Sequence, residues 1–139
     1  MKALVQRVAR ARVTVGEEIT GEIGPGLCVF LGVTHSDTEA TADKLASRLW
    51  TLRIFDDDGG FMNRPVSDAG GEVLVVSQFT LYGDTRRGRR PSWAAAARPE
   101  QAAPLVDRLV ESLRQLGATV ATGRFAAHMD VELVNDGPV

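Results

Sequence analysis

Two short stretches of this sequence are almost continuously apolar: GLCVFLGV at 26–33 and VLVV at 73–76. A half-buried strand alternates apolar and polar residues, and an amphipathic helix repeats them every three to four positions. A short run that does neither fits a central, buried strand. The second run does not end cleanly. It continues as SQFTLYGD, so Ser77, Gln78 and Thr80 interrupt the apolar pattern with Phe79 among them. A buried hydroxyl or amide without a partner costs about 1–3 kcal/mol. These groups therefore need partners, either the protein's own backbone or a substrate. In an extended strand Ser77 and Phe79 share one face, and Gln78 and Thr80 share the other. All four can serve one pocket only if the strand ends or bulges there. The polar group is thus read as a site at a strand end, acting partly through its backbone.

The remaining pattern supplies the surroundings. KALVQRV (2–8) and ARVTV (11–15) read as strands. Gly16-Glu17 turns the chain into EITGEI, so the N-terminus is expected to form a hairpin. Over 36–52 the period changes to that of a helix. Ala42, Leu45, Ala46, Leu49 and Trp50 form one stripe, and Ser36 and Glu39 have capping-box spacing. Arg53-Ile54-Phe55 reads as a short strand before DDDGG. Residues 72–82 form the strand that carries SQFT. A second helix is expected over about 100–116, with Pro99 or Pro104 in its first turn and Gly117 as its stop. AHMDVELV (127–134) alternates like a strand. The order predicts one α+β domain over 1–139, mainly antiparallel or mixed β-sheet of barrel-like form with two principal helices.

Several chemistries find no support. DDDGG lacks the fifth-position ligand of a calcium loop, since that position is Gly60, and reads as a tight turn. His35 and His128 are the only histidines, and neither has the companions of a zinc site. There is no G-x-x-x-x-G-K-[ST] phosphate loop and no G-x-S-x-G nucleophile elbow. Cys28, the only cysteine, reads as a small core residue, compatible with a reducing cytoplasm. No signal peptide or membrane span is expected.

The net charge of −2 gives the whole molecule no general attraction for nucleic acid, so any basic site must be local. Such a site is DTRRGRRPSW at 84–93, where Arg86, Arg87, Arg89 and Arg90 fall within five residues and Trp93 follows. Arginine forms bidentate bonds to phosphate oxygens and stacks on bases. The run begins just past the strand with the misplaced polar residues, which favours a phosphate contact over a merely solvated loop.

The C-terminal VELVNDGPV, taken with SQFT at 77–80 and GRF at 123–125, closely resembles the D-aminoacyl-tRNA deacylase family. QRV..A.V.V, RIF, AGG-x-VLVVSQFTL and GRFAA match that pattern in order, across essentially the whole chain. Family members continue past GPV with a threonine and a short strand, whereas this sequence stops at Val139.

The resemblance implies a homodimeric cytoplasmic enzyme that hydrolyses the ester between a D-amino acid and the 3′ end of tRNA, with no metal and no organic cofactor. It implies that Gly137-Pro138 is a cis pair reaching into the partner's active site to exclude L substrates. Glycine, with no side chain to exclude, would then be accepted as well. It places Ser77, Gln78, Phe79 and Thr80 at the reacting ester, with backbone N–H groups as oxyanion donors. It places Phe125 and Met129 at the amino-acid pocket, and Arg7 as a support for the Gly-Pro carbonyls. The basic run, Arg86 to Arg90, is left to contact the tRNA. Two other readings stay open. One is a non-catalytic RNA-binding module built on DTRRGRRPSW. The other is a related deacylase acting on L-alanyl esters, with the Gly-Pro motif trans.

Overall fold

The computed structural model describes residues 1–139. In chain order the elements are β1 (Lys2–Val15), β2 (Glu18–Ile23), β3 (Gly26–Gly32), α1 (Glu39–Thr51), β4 (Phe55–Asp56), β5 (Met62–Arg64), α2 (Val66–Ala69), β6 (Glu72–Ser77), a 3₁₀ turn (Phe79–Tyr82), α3 (Pro99–Gln115), β7 (Val120–Thr122) and β8 (Asp130–Asn135).

The two strands expected at the N-terminus are one. β1 runs unbroken, and an extra residue at Ala9 is absorbed as a register shift against β8, between Val8↔Asn135 and Arg10↔Val134. β2 and β3 keep the same antiparallel register along β1, from Ala11↔Ile23 to Val8↔Gly26. They form one long returning arm with Gly24-Pro25 between them. β3 then pairs parallel with β6, and β6 parallel with β7.

β2 comes close to β7 at the far end of this path. A Cβ added at Gly21 would sit 2.3 Å from the Thr122 carbonyl oxygen. The mixed sheet therefore curls into a nearly closed barrel, and only glycine lets the two backbones meet at that point.

The apolar runs have a direct physical cause. Leu27, Val29 and Leu31 of β3, with Val73 and Val75 of β6, belong to the core between the sheet and the helices. Cys28, Leu74 and Val76 belong to a second core, with Val8, Ala11, Val13 and Ile23. Central strands buried on both faces have no position at which a polar residue can alternate. Cys28 is fully buried, and burial pushes its thiol up to about 11, so it stays protonated and packs as an apolar residue.

α1 and α3 cover the first core. The α1 cap lies two residues later than its sequence spacing suggests. Thr38 and Thr41 form the capping box, and Glu39 is the first helical residue rather than the reciprocal partner of Ser36. α3 begins with Pro99 at its first position, and Leu105, Leu109 and Leu113 line its buried face. The short helix α2 is an addition to the two expected, set between Pro65 and the left-handed Gly70. β7 is also an addition. DDDGG is a tight turn whose Asp57 carboxylate accepts the N–H groups of Gly59 (2.9 Å) and Phe61 (3.1 Å).

The two long helices are tied by Asp43 of α1. Its carboxylate accepts from Arg108 Nε (2.8 Å) and Nη2 (2.9 Å) and from the Ser112 hydroxyl. Arg108 first, then Ser112, hold this carboxyl at about 2, below its ordinary 3.8. A carboxyl depressed in the folded state stabilises it fully above the unfolded value, and that stability is lost as pH falls through the folded one. Thermal melts should therefore show Asp43→Asn less stable than the parent at pH 7, with the difference disappearing as pH approaches 2. Gly21→Ala should cost about 1–3 kcal/mol in denaturant unfolding, because Thr122 must retreat from the new methyl group.

Candidate active site

β6 stops at Ser77, where its parallel partner β3 reaches Leu31. The next N–H, that of Gln78, still donates to the Leu31 carbonyl at 2.8 Å. The chain then tightens into the 3₁₀ turn, closed by Leu81 N–H on the Gln78 carbonyl at 3.3 Å. The expected strand over 72–82 is therefore cut short, and the alternation that would have split SQFT between two faces no longer applies. As the first two residues of the turn, Phe79 and Thr80 have no intrahelical acceptor for their N–H groups. The Gln78 N–H is committed to the sheet. Of the side chains, Gln78 Nε2 donates to Thr80 Oγ1.

A cavity of about 580 Å³ opens at this strand end. Ser77, Gln78 and Phe79 form one side and Leu31, Val33 and Val76 its floor. Phe125 to Met129 form a second side, and Trp93, Ala96, Ala97, Pro99 and Ala102 a third. Most of these residues are apolar, so the cavity suits a mixed ligand, with an apolar body and a few polar contacts at its Ser77–Phe79 edge.

The second side is a turn. The strand expected over 127–134 begins only at Asp130, and Gly123–Met129 loops across the cavity. Ala127 N–H closes on the Arg124 carbonyl at 3.2 Å, and Ala126 takes a left-handed φ of 63° to do so. The third side is clipped to the end of β3. Ala97 N–H donates to the Val33 carbonyl (2.9 Å), and His35 Nε2 lies 2.7 Å from the Ala94 carbonyl. His35 thus has a structural partner. His128 lies at the cavity rim, almost wholly exposed.

Of the residues singled out from sequence, Ser77, Gln78, Phe79, Phe125 and Met129 meet at this cavity. Thr80 is adjacent but exposed and does not line it. Trp93 does line it, and its ring packs edge-on against Phe79, with centroids 5.3 Å apart. Sequence reasoning noticed Trp93 only as a neighbour of the basic run. Its signal was its place between that run and the α3 start.

Arg7, Gly137 and Pro138 lie apart from the cavity of their own chain. The Gly137-Pro138 peptide bond is cis. A Cβ at Gly137 would come 2.5 Å from the Val139 nitrogen, so the tight return of the chain itself requires glycine. Arg7 is 8% exposed. Its Nε donates to the Asp136 carbonyl at 2.8 Å and its Nη1 to the Ile54 carbonyl at 2.7 Å. Its backbone N–H donates to the Val139 carbonyl at 3.0 Å, and its own carbonyl accepts from Asp136 N–H at 2.9 Å. Arg7 therefore brackets the Gly-Pro pair through the carbonyls on either side of it, and not through those of Gly137 and Pro138.

The basic run is a closed loop. Asp84 and Ser92 exchange two backbone hydrogen bonds, of 2.9 and 2.8 Å, at its neck. Arg86 turns back onto Asp84, with Nη2 2.7 Å from Oδ2 and Nε 2.9 Å from Oδ1. This pairing holds the Asp84 carboxyl at about 2. Arg87, Arg89 and Arg90 take part in no ion pair.

The model of the family described as "D-Tyr-tRNA(Tyr) deacylase" matches residues 4–139. The chain belongs to this family. It is 64% identical to a D-aminoacyl-tRNA deacylase of Symbiobacterium thermophilum, over all of this chain and 92% of that one. It is 60% identical to the protein of the same name from Heliobacterium modesticaldum, over all of this chain and 93% of that one. Among solved structures it is similar to the c-Myc DNA Unwinding Element Binding Protein, with a TM-score of 0.94 and 40% identity, over all of this chain and 95% of that one. A probable eukaryotic D-amino acid tRNA deacylase shares the fold, with a TM-score of 0.80 and 16% identity over 98% of this chain and 94% of that one. The family's relatives are thus named as hydrolases of an aminoacyl-tRNA ester.

Removing the Arg7 side chain takes the donor from two part-buried carbonyls, those of Asp136 and Ile54, at once. Arg7→Met should lower stability by about 1–3 kcal/mol. It should also raise amide hydrogen exchange at Asp136 more than at the β3–β6 ladder, measured by mass spectrometry. Arg7→Lys should restore only part of the protection, because one ammonium lacks the guanidinium's spread of donors.

Proposed function

We propose that this protein hydrolyses the ester joining a D-amino acid to the 3′ end of tRNA, and that it does so at the Ser77–Phe79 cavity. The observation that carries the reading is the convergence of Ser77, Gln78 and Phe79 with Phe125 and Met129 on one largely apolar cavity, in a chain of the deacylase family.

The chemistry asks little of the side chains. An aminoacyl ester is already activated, and the neighbouring ribose hydroxyl can assist its hydrolysis. Water adds to the ester carbonyl, the bond to the ribose oxygen breaks, and free D-amino acid and tRNA leave. The protein's task is to hold the ester and to stabilise the oxyanion that forms. The amides of Phe79 and Thr80, left without intrahelical acceptors, are the donors for it. Ser77 and Gln78 then shape the pocket edge, and Thr80 acts through its backbone rather than as a nucleophile. Its hydroxyl is engaged by Gln78 and has no adjacent base.

Selectivity is the harder task. Discrimination of about 10⁴ between mirror-related substrates requires roughly 5.5 kcal/mol. A pocket for ordinary side chains does not provide it, but steric exclusion at Cα does. Gly137-Pro138 is the proposed excluder. It does not line its own chain's cavity, so this role requires a homodimer in which each copy's tail enters the other's cavity. Glycyl-tRNA, having no side chain to exclude, is then also a substrate. The basic loop over 86–90 meets the tRNA backbone through arginines that have no carboxylate partner, and the reaction takes place in the cytoplasm.

The test is a deacylation assay with matched D- and L-aminoacyl-tRNA. Hydrolysis of the D form alone, undiminished by chelator, is expected. Equal turnover of both forms would remove the selectivity mechanism. Turnover of neither, with tRNA binding intact, would leave a non-catalytic RNA-binding module. Preference for the L-alanyl ester would place the chain in the related class of deacylases.

A further inference from the structure

The four arginines of the loop are alike in sequence but not in structure. Arg87 and Arg90 line a small polar hollow with Ser92, Asp84 and Arg86. Arg89 does not reach it. Arg86 is paired within the loop although its side chain is exposed: its guanidinium lies along the Asp84 carboxylate, whose Oδ1 also accepts the Arg86 backbone N–H at 3.0 Å. A second turn, Gly88 N–H on the Thr85 carbonyl at 3.3 Å, folds the tip back. The hollow and the large cavity meet at consecutive residues of the chain, since Ser92 lines one and Trp93 lines the other.

We propose that Arg87, Arg90 and Ser92 form a binding niche for one phosphate of the RNA backbone as it leaves the cavity mouth, and that Arg86 is a positioning residue that binds no phosphate. The niche rests on the tRNA reading above and gives it a point of attachment. The division of labour follows from charge. A carboxylate within the hollow would repel a phosphate, and Arg86 cancels it. Arg87 and Arg90 have no carboxylate partner, so their guanidinium groups are free for the bidentate contact that suits phosphate oxygens. The exposed Phe79–Trp93 pair next to them adds an aromatic face, the combination used to hold single-stranded nucleic acid. An acidic peptide would satisfy the arginines but would leave that aromatic face unused.

The test is the affinity of deacylated tRNA, titrated by fluorescence over a series of potassium chloride concentrations. Thermal melts establish that each variant is folded. Arg87→Ala and Arg90→Ala should each weaken binding about three- to tenfold at low salt, and each should flatten the salt slope by about 0.7–0.9, the value of one phosphate contact. Arg89→Ala should leave the slope unchanged. Arg86→Ala should weaken binding, because Asp84 is then uncompensated, and adding Asp84→Asn to it should return affinity to within about twofold of the parent. Three results would overturn the proposal: slopes untouched by Arg87→Ala and Arg90→Ala; no effect of Arg86→Ala; or an Asp84→Asn/Arg86→Ala double variant as weak as Arg86→Ala, which would make Arg86 a phosphate ligand itself. Hydrolysis of D-aminoacyl-tRNA by the parent protein is measured separately. An active enzyme with unchanged slopes would refute the niche alone, and an inactive protein with the expected slopes would refute the deacylase reading alone.

Discussion

The parallel pairing of β3 with β6 is the interaction on which the rest depends. Both strands are covered on both faces, one face by the helices and the other by the barrel-side core. Their backbone groups have no water to turn to, so the ladder must be complete along its length. It is complete up to Leu31 and Ser77, and the Gln78 N–H adds one more rung. Beyond that rung the chain is free of the ladder and coils into a 3₁₀ turn. The cavity is what lies beyond the end of the ladder. Its floor is made of side chains from the last turns of the pleat, Leu31 and Val76, and its polar edge is the first backbone released from the sheet.

Arg7 does for the C-terminal segment what that ladder does for the cavity. It sits on β1 as a nearly buried cation. Its partners come from the β4 approach, through Ile54, and from the segment after β8, through Asp136. Its two carboxylate neighbours, Asp56 (3.4 Å) and Asp136 (3.5 Å), are largely exposed. Exposed ion pairs are worth little, so the weight falls on the hydrogen bonds to carbonyls. Asn135 adds to this, donating to the Gln6 amide oxygen at 2.8 Å while its own oxygen accepts Val139 N–H at 3.3 Å. The segment is held by directional bonds at both of its ends, which fixes how its central residues are presented.

The architecture was legible where burial is two-sided or strictly periodic. The β3 and β6 runs, the stripe over Ala42–Leu49 and the α3 stripe need no information beyond their own spacing. The misreadings lie where short-range chemistry competes with that pattern. Ser36 and Glu39 have the spacing of a cap, but Thr38 and Thr41 make it. AHMDVELV alternates, yet its first residues are drawn into the turn that Ala126 closes in a left-handed conformation. β7 has three residues and no distinctive pattern, because it is recruited by β6 rather than by its own propensity. At the site, Ser77 to Phe79 were legible because polar residues stand out in an apolar strand. Trp93, Ala96 and Pro99 were not, since they reach the cavity through contacts between distant segments, such as Ala97 with Val33. The engagement of Arg86 by Asp84 was also hidden, because a run of charges reads the same whether its members are paired or free.

β1 takes its pairing partners from both ends of the polypeptide, β3 early and β8 last. Closing contacts between segments so far apart in sequence carries a large loop entropy, and such contacts form late and slowly. Met129 and Val131, which complete the cavity wall, lie immediately before or within β8. During synthesis the first hairpin can form as soon as β3 emerges, and the β3–β6 ladder can follow. The cavity wall is still missing at that stage. A growing chain therefore has no complete cavity until Met129 and Val131 are in place, when the last strand returns to the first.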